Sequence, residues 1–101
     1  MPNWSFFTNH ARALICIAGD SGLRLRELAA ALNITERRAH SIVTDLVEAG
    51  YVVKEKDGRR NRYRIDTQLP LPETISVERT VGELLGLLVG GEAGRDRRPG
   101  R

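Results

Sequence analysis

The stretch "RELAAALNITERRAHSIVTDLVEAG", residues 26–50, carries two helical repeats separated by almost nothing. Leu28, Ala29 and Leu32 recur on one helical face, and Asn33 suits a left-handed helix exit. After Ile34, Thr35 offers a new N-cap, and the segment from Glu36 to Ala49 reads as a second helix closed by Gly50. Two helices joined by about three residues cannot run antiparallel; they cross at a large angle, as a helix-turn-helix. Ile34 plugs that angle.

The second helix has a defined inside and outside. Ala39, Ile42, Val43, Leu46 and Val47 follow the i, i+3, i+4, i+7, i+8 rule and face the core. Opposite them point Arg37, Ser41 and Thr44, with Arg38 and His40 at the flanks and the acidic Asp45 and Glu48 towards the other end. A helix that enters the DNA major groove presents its N-terminal half to base edges. Arg37 and Arg38 suit guanine edges or phosphates, and Ser41 and Thr44 allow close approach. Arg37, Arg38, His40, Ser41 and Thr44 therefore form the candidate base-reading set. The competing account is the plain solvent face of an amphipathic helix. Arginine at the positive end of a helix is mildly unfavourable for stability, which tips the balance towards function.

Residues 51–65, "YVVKEKDGRRNRYRI", read as two strands around a turn. With a three-residue loop, Asp57-Gly58-Arg59, Lys56 faces Arg60. Tyr51, Val53, Tyr63 and Ile65 then share an inner face, and Lys54, Lys56, Arg60, Arg62 and Arg64 share the outer one. A two-residue Asp57-Gly58 turn is the commoner hairpin signal, but it mixes the faces and sets Arg62 beside Val53. The clean separation favours the odd loop. That register stacks like charges across the strands, which is locally destabilising unless a polyanion neutralises them. A basic hairpin behind a helix-turn-helix thus looks like a wing on the sugar-phosphate backbone. The expected backbone contacts are Thr35, Lys54, Lys56, Arg59, Arg60, Arg62 and Arg64.

Upstream, residues 1–8 read as an arm, and "TNHARALICIAGD" as a helix capped by Thr8 or Asn9 and ended by Asp20-Ser21-Gly22. "LRL" at 23–25 is short but can add a third strand to the sheet. From "LAAALNIT", the Leu46-Val47-x-x-Gly50-Tyr51 exit and the Asp57-Gly58-Arg59-Arg60 tip, the chain resembles the winged helix-turn-helix of bacterial transcriptional regulators, especially the MarR and ArsR types. The resemblance covers roughly residues 10 to 66. It implies an α+β fold: a three-helix core with a small antiparallel hairpin wing over 9–66, plus a further C-terminal helix. It also implies Thr35 to Thr44 as the base-reading segment and Lys54 to Arg64 as the wing. Two departures stand out. Arg24 occupies a position where such motifs often carry a Ser or Thr cap, and the cysteine pair of ArsR-type metal sensors is absent, which argues against metal sensing by that route.

Residues 67–75 contain "LPLPE", a stiff connector because each proline fixes its own φ and restrains its neighbour. Ser76 is the expected cap of a helix over 76–89, with Val77, Val81, Leu84, Leu85 and Leu88 as an apolar stripe. Gly82 and Gly86 each cost about 1 kcal/mol relative to Ala in a helix, and become tolerable where another backbone packs closely. Such regulators usually dimerise through terminal helices, so this stripe is the expected homodimer contact; the alternative is a helix that folds back on its own domain. Residues 90–101, rich in Gly and Arg, read as a disordered basic tail that adds phosphate attraction.

The chain of 101 residues has a formal net charge of +3 and 41% hydrophobic residues, enough for one small domain. The pI of about 9.6 matters less than where the charges sit. A single cysteine, Cys16 in "ALICIAG", excludes an internal disulfide and reads as a small core residue. No secretion signal or membrane-spanning stretch is legible, so a soluble, cytoplasmic protein is expected. His10 and His40 lie on different helices without a nucleophile motif or carboxylate pair, and no Gly-rich phosphate loop follows a strand. Enzymatic activity, a cofactor and a bound metal are therefore not expected. Double-stranded DNA is the expected partner. The alternative is a protein–protein module in a larger assembly, and RNA is weaker because few aromatics accompany the basic face. Nothing in the sequence identifies an effector.

Overall fold

A computed structural model describes residues 3–71 and 79–89. Three helices come first: α1 (Asn9–Gly19), α2 (Leu25–Leu32) and α3 (Glu36–Glu48). A hairpin of β1 (Val52–Asp57) and β2 (Arg60–Ile65) follows, then α4 (Val81–Val89). This is the winged-helix arrangement of α+β type that the sequence predicts.

Local chemistry sets each boundary. Thr8 caps α1, its Oγ1 accepting the Ala11 N–H at 3.2 Å. Arg24, which has no acceptor to offer, precedes α2, and Glu27 compensates by accepting the Arg24 backbone N–H at 2.8 Å, one half of a capping box. Asn33 leaves α2 in the left-handed region at φ 60°. Thr35 then caps α3 by accepting the Arg38 N–H at 3.0 Å. The three-residue corner expected from the sequence is therefore closed by two caps on either side of Ile34, which is partly buried against the core.

Ala13, Ile17, Leu28, Ala29, Leu32, Ala39, Ile42, Val43 and Leu46 bury the inner faces of the three helices, and Val52 and Tyr63 seal them from the hairpin side. Cys16 packs against this cluster, partly buried. Val47, expected inside, remains 36% exposed. It lies one residue, or about 100° of rotation, past Leu46 and falls off the edge of the apolar stripe.

The hairpin register differs from the expected one. Val52 pairs with Ile65, Lys54 with Tyr63, Glu55 with Arg62 and Asp57 with Arg60. The loop is the two residues Gly58-Arg59, with Gly58 at φ 67°, the left-handed first position that two-residue hairpin turns favour. The inner apolar residues are consequently Val52, Tyr63 and Ile65, with Val53 on the opposite face beside Arg64. Electrostatics accounts for the choice. The observed register sets Glu55 and Asp57 against arginines, whereas the three-residue loop would stack cation on cation. The third strand expected from "LRL" is also missing, because α2 already begins at Leu25. The loop just before it meets β2 through one backbone bond, from Tyr63 N–H to Ser21 O at 3.0 Å, and through side chains.

The C-terminal helix starts at Val81 rather than near Ser76, which with Val77 lies outside the described residues. Thr80 and Glu83 form its capping box: Glu83 Oε1 accepts the Thr80 N–H at 2.8 Å and Thr80 Oγ1 accepts the Glu83 N–H at 3.2 Å. A bridge between Pro70 and Thr80 fixes the entry, and the Tyr51 hydroxyl donates to Pro70 O at 3.0 Å. The helix folds back on α1 and buries Val81 and Leu85 within its own chain.

Candidate nucleic-acid interface

The outward face of α3 begins at a capped N-terminus, where unbonded N–H groups and the helix dipole favour negative charge. Arg37, Arg38, His40 and Ser41 are exposed there and Thr44 is partly buried. Arg37 and Arg38 make no ion pair among the described residues. Their charge is free to meet an anion at the positive end of the helix.

The second half of α3 is tied to α1 by a side-chain contact. Asp45 Oδ2 lies 2.8 Å from His10 Nε2 on α1. His10 thus ties the start of α1 to the second half of α3. With the two residues 35 apart in sequence, no local signal announces the pair. Glu48 is exposed.

The register divides the cations of the wing into two sets. Cross-strand partners project to the same side, so Lys54 and Lys56 share a face with Asn61 and Tyr63, and Arg60, Arg62 and Arg64 occupy the other face with Asp57 and Glu55. The expectation of one common cationic face is thus overturned. Lys54, Lys56 and Arg59, at the turn, are exposed and make no ion pair among the described residues. The β2 arginines are engaged. Arg64 Nε reaches Glu55 at 3.2 Å and Arg62 Nε reaches Asp57 at 3.2 Å. Arg62 Nη1 also donates to Ser21 Oγ at 3.0 Å, and Arg60 donates to the Gly22 carbonyl. Burial pushes the Tyr63 hydroxyl pKa up, opposed by a hydrogen bond with the Asn61 side chain.

On another side of the molecule, α1, the C-terminal end of α3 and α4 enclose an open hollow of about 600 Å³. Its wall is apolar, including Phe6, Phe7, Leu14, Ile15, Leu84 and Leu85, with the His10–Asp45 pair also lining it. Trp4 and Phe6 pack edge to face nearby in the arm, ring centroids 5.1 Å apart. Of the expected dimer contacts, Val81 and Leu85 are buried intramolecularly, Leu84 is partly buried and Leu88 is 40% exposed. Leu87, at the edge of the expected stripe, is 85% exposed. No helix among the described residues is long and apolar enough to cross a membrane.

A sequence model of the MarR family matches residues 8–62, more than half of the chain. No curated protein matches. Among solved structures, the chain is similar to the zinc-dependent MarR family transcriptional regulator AdcR in its Zn(II)-bound state, at 22% identity and a TM-score of 0.47. That match covers 64% of this chain and 46% of the other, so it spans under half of the larger protein. The matching family model is of the MarR type and not of the ArsR type.

Proposed function

The chain belongs to the MarR family, and from that premise we propose that it is a transcriptional regulator that binds double-stranded DNA, α3 entering the major groove and the wing following the phosphate backbone. The observation that carries this reading is the pair Arg37 and Arg38, exposed on the first turn of α3 and making no ion pair among the described residues. In this reading Arg37, Arg38, His40, Ser41 and Thr44 read base edges, arginine with the bidentate geometry that guanine offers. Thr35 at the cap, with Lys54, Lys56 and Arg59 from the wing, contacts phosphates.

We further propose that two copies associate through α4. Leu87 and Leu88 supply exposed apolar surface at its end. A two-fold pair presents two recognition helices to a palindromic site. The protein then works in the cytoplasm, beside the chromosome.

Selection from a random pool of duplex DNA, repeated at two salt concentrations, tests the reading. The expected result is an enriched motif with two-fold symmetry and an affinity that falls steeply with salt. A pool that stays random, with no salt-dependent binding, would overturn it. The exposed Leu87 and Leu88 would then favour the protein–protein module instead.

A further inference from the structure

A two-stranded hairpin is marginal by itself, and from Lys54 to Arg62 every residue of this one is exposed. Its outer half therefore has no apolar contact to hold its angle. Contacts with the loop after α1 do that instead. Ser21 O accepts the Tyr63 N–H at 3.0 Å, Ser21 Oγ accepts from Arg62 Nη1 at 3.0 Å, and the Gly22 carbonyl accepts from Arg60. The loop is itself braced. Asp20 N–H bonds to Cys16 O and Ile17 O, Asp20 Oδ1 accepts the Gly22 N–H at 3.0 Å, and Asp20 O accepts the Leu23 N–H at 3.1 Å. Whatever Ser21 grips is thus referred directly to α1.

Resting on the DNA-binding reading above, we infer that Arg62 is a positioning residue: through Ser21 it fixes the pose of the wing and does not itself neutralise phosphate. Its charge is already met by Asp57, 3.2 Å from Nε. A phosphate approaching this pair meets a nearly neutral group and sheds no counterion on its account. Lys54, on the other face and in no ion pair among the described residues, carries the phosphate contact. Arg62 acts instead by reducing the freedom the wing must lose on binding.

The salt dependence of binding separates the two roles, using the full chain and a duplex taken from the selection. Lys54→Ala should make the slope of log K against log salt shallower by about 0.9, the value of one phosphate contact. Arg62→Ala, made together with Asp57→Asn so that no lone carboxylate is left, and Ser21→Ala should each weaken binding by about fivefold, the worth of one hydrogen bond, and leave the slope unchanged. Adding Ser21→Ala to the Arg62→Ala and Asp57→Asn pair should weaken binding no further, because both changes break the same link. Ser21→Ala removes a single oxygen and keeps the test open should the paired variant fold poorly. A slope for the paired variant as shallow as that for Lys54→Ala makes Arg62 a phosphate ligand and overturns the inference, as does wild-type affinity for Ser21→Ala. Wild-type chain that binds no duplex at all removes the DNA-binding reading, and this inference with it.

Discussion

Gly82 lies so close to Thr67 that a Cβ built on it would meet Thr67 Cβ at 2.7 Å and Thr67 O at 2.9 Å. The Gly82 N–H donates to that same carbonyl at 2.9 Å. Gly86, one turn later, has nothing within 4 Å of its notional Cβ. The two glycines that look equivalent in sequence therefore have opposite reasons for being tolerated. Gly82→Ala should destabilise the protein by about 1–3 kcal/mol, because backbone cannot yield as a side-chain tip can. Gly86→Ala should stabilise it by about 0.5–1 kcal/mol through helix propensity. Urea unfolding of both variants checks the contrast, and equal effects would remove the close approach as its cause.

Glu83 ties the same helix start to pH. Its backbone hydrogen bond with Thr80, aided by the nearby Arg79, holds its carboxyl below the ordinary value of 4.5. A depressed folded-state pKa gives stability that is complete above the unfolded value and lost as pH falls through the folded one. The uncharged isostere Glu83→Gln never has this contribution. Wild type should therefore be the more stable at neutral pH, and the difference should close as pH drops below 4.5. Thermal melts across that window measure it; a gap that persists in acid would assign the effect to geometry rather than charge.

The helical framework was legible because its signals are local. Thr8, Asn33 and Thr35 act through atoms within four residues, and the core stripe of α3 repeats at a fixed period. The wing register was not, because it depends on which residue faces which across the strands. Separating apolar from charged residues pointed to Val53 inside, but opposing charge was decisive, and Glu55 opposite Arg62 required Val52 instead. The start of α4 was misplaced for a different reason. Thr80-x-x-Glu83 is a capping-box signature in plain sight, yet Ser76 four residues earlier offers an equally good cap, and what separates them is the Pro70–Thr80 bridge. The pairing of His10 with Asp45 and of Ser21 with Arg62 is purely tertiary. These contacts divide the candidate site into free and engaged charges, and no spacing rule encodes them.

The proposed dimer makes a claim about mass. Leu87 is 85% exposed and Leu88 40% exposed on a helix whose Val81 and Leu85 are already buried at home. Sedimentation at micromolar concentration should give twice 11.3 kDa. Leu87→Glu combined with Leu88→Glu should give the monomer, since burying two carboxylates against apolar surface is strongly unfavourable. Circular dichroism should remain that of the wild type, because neither side chain belongs to the buried core. A wild-type chain that sediments only as 11.3 kDa would end the proposal.

The last prediction concerns the division between reading and gripping. Arg37 sits at the open, positive end of α3, where a guanidinium can make two hydrogen bonds to guanine O6 and N7. Arg59 sits at the wing turn, where a phosphate offers charge but no sequence. Arg37→Ala should cost about 1–3 kcal/mol on the selected site and relax discrimination at one base pair. Its effect on random duplex should be smaller. Arg59→Ala should weaken selected and random duplexes by the same factor and make the salt slope shallower by about one unit. Titrating both variants against both duplexes at several salt concentrations separates the roles. The assignment fails if the two variants lose affinity equally on selected and random DNA, because a base-reading side chain must distinguish sequences that a phosphate contact cannot.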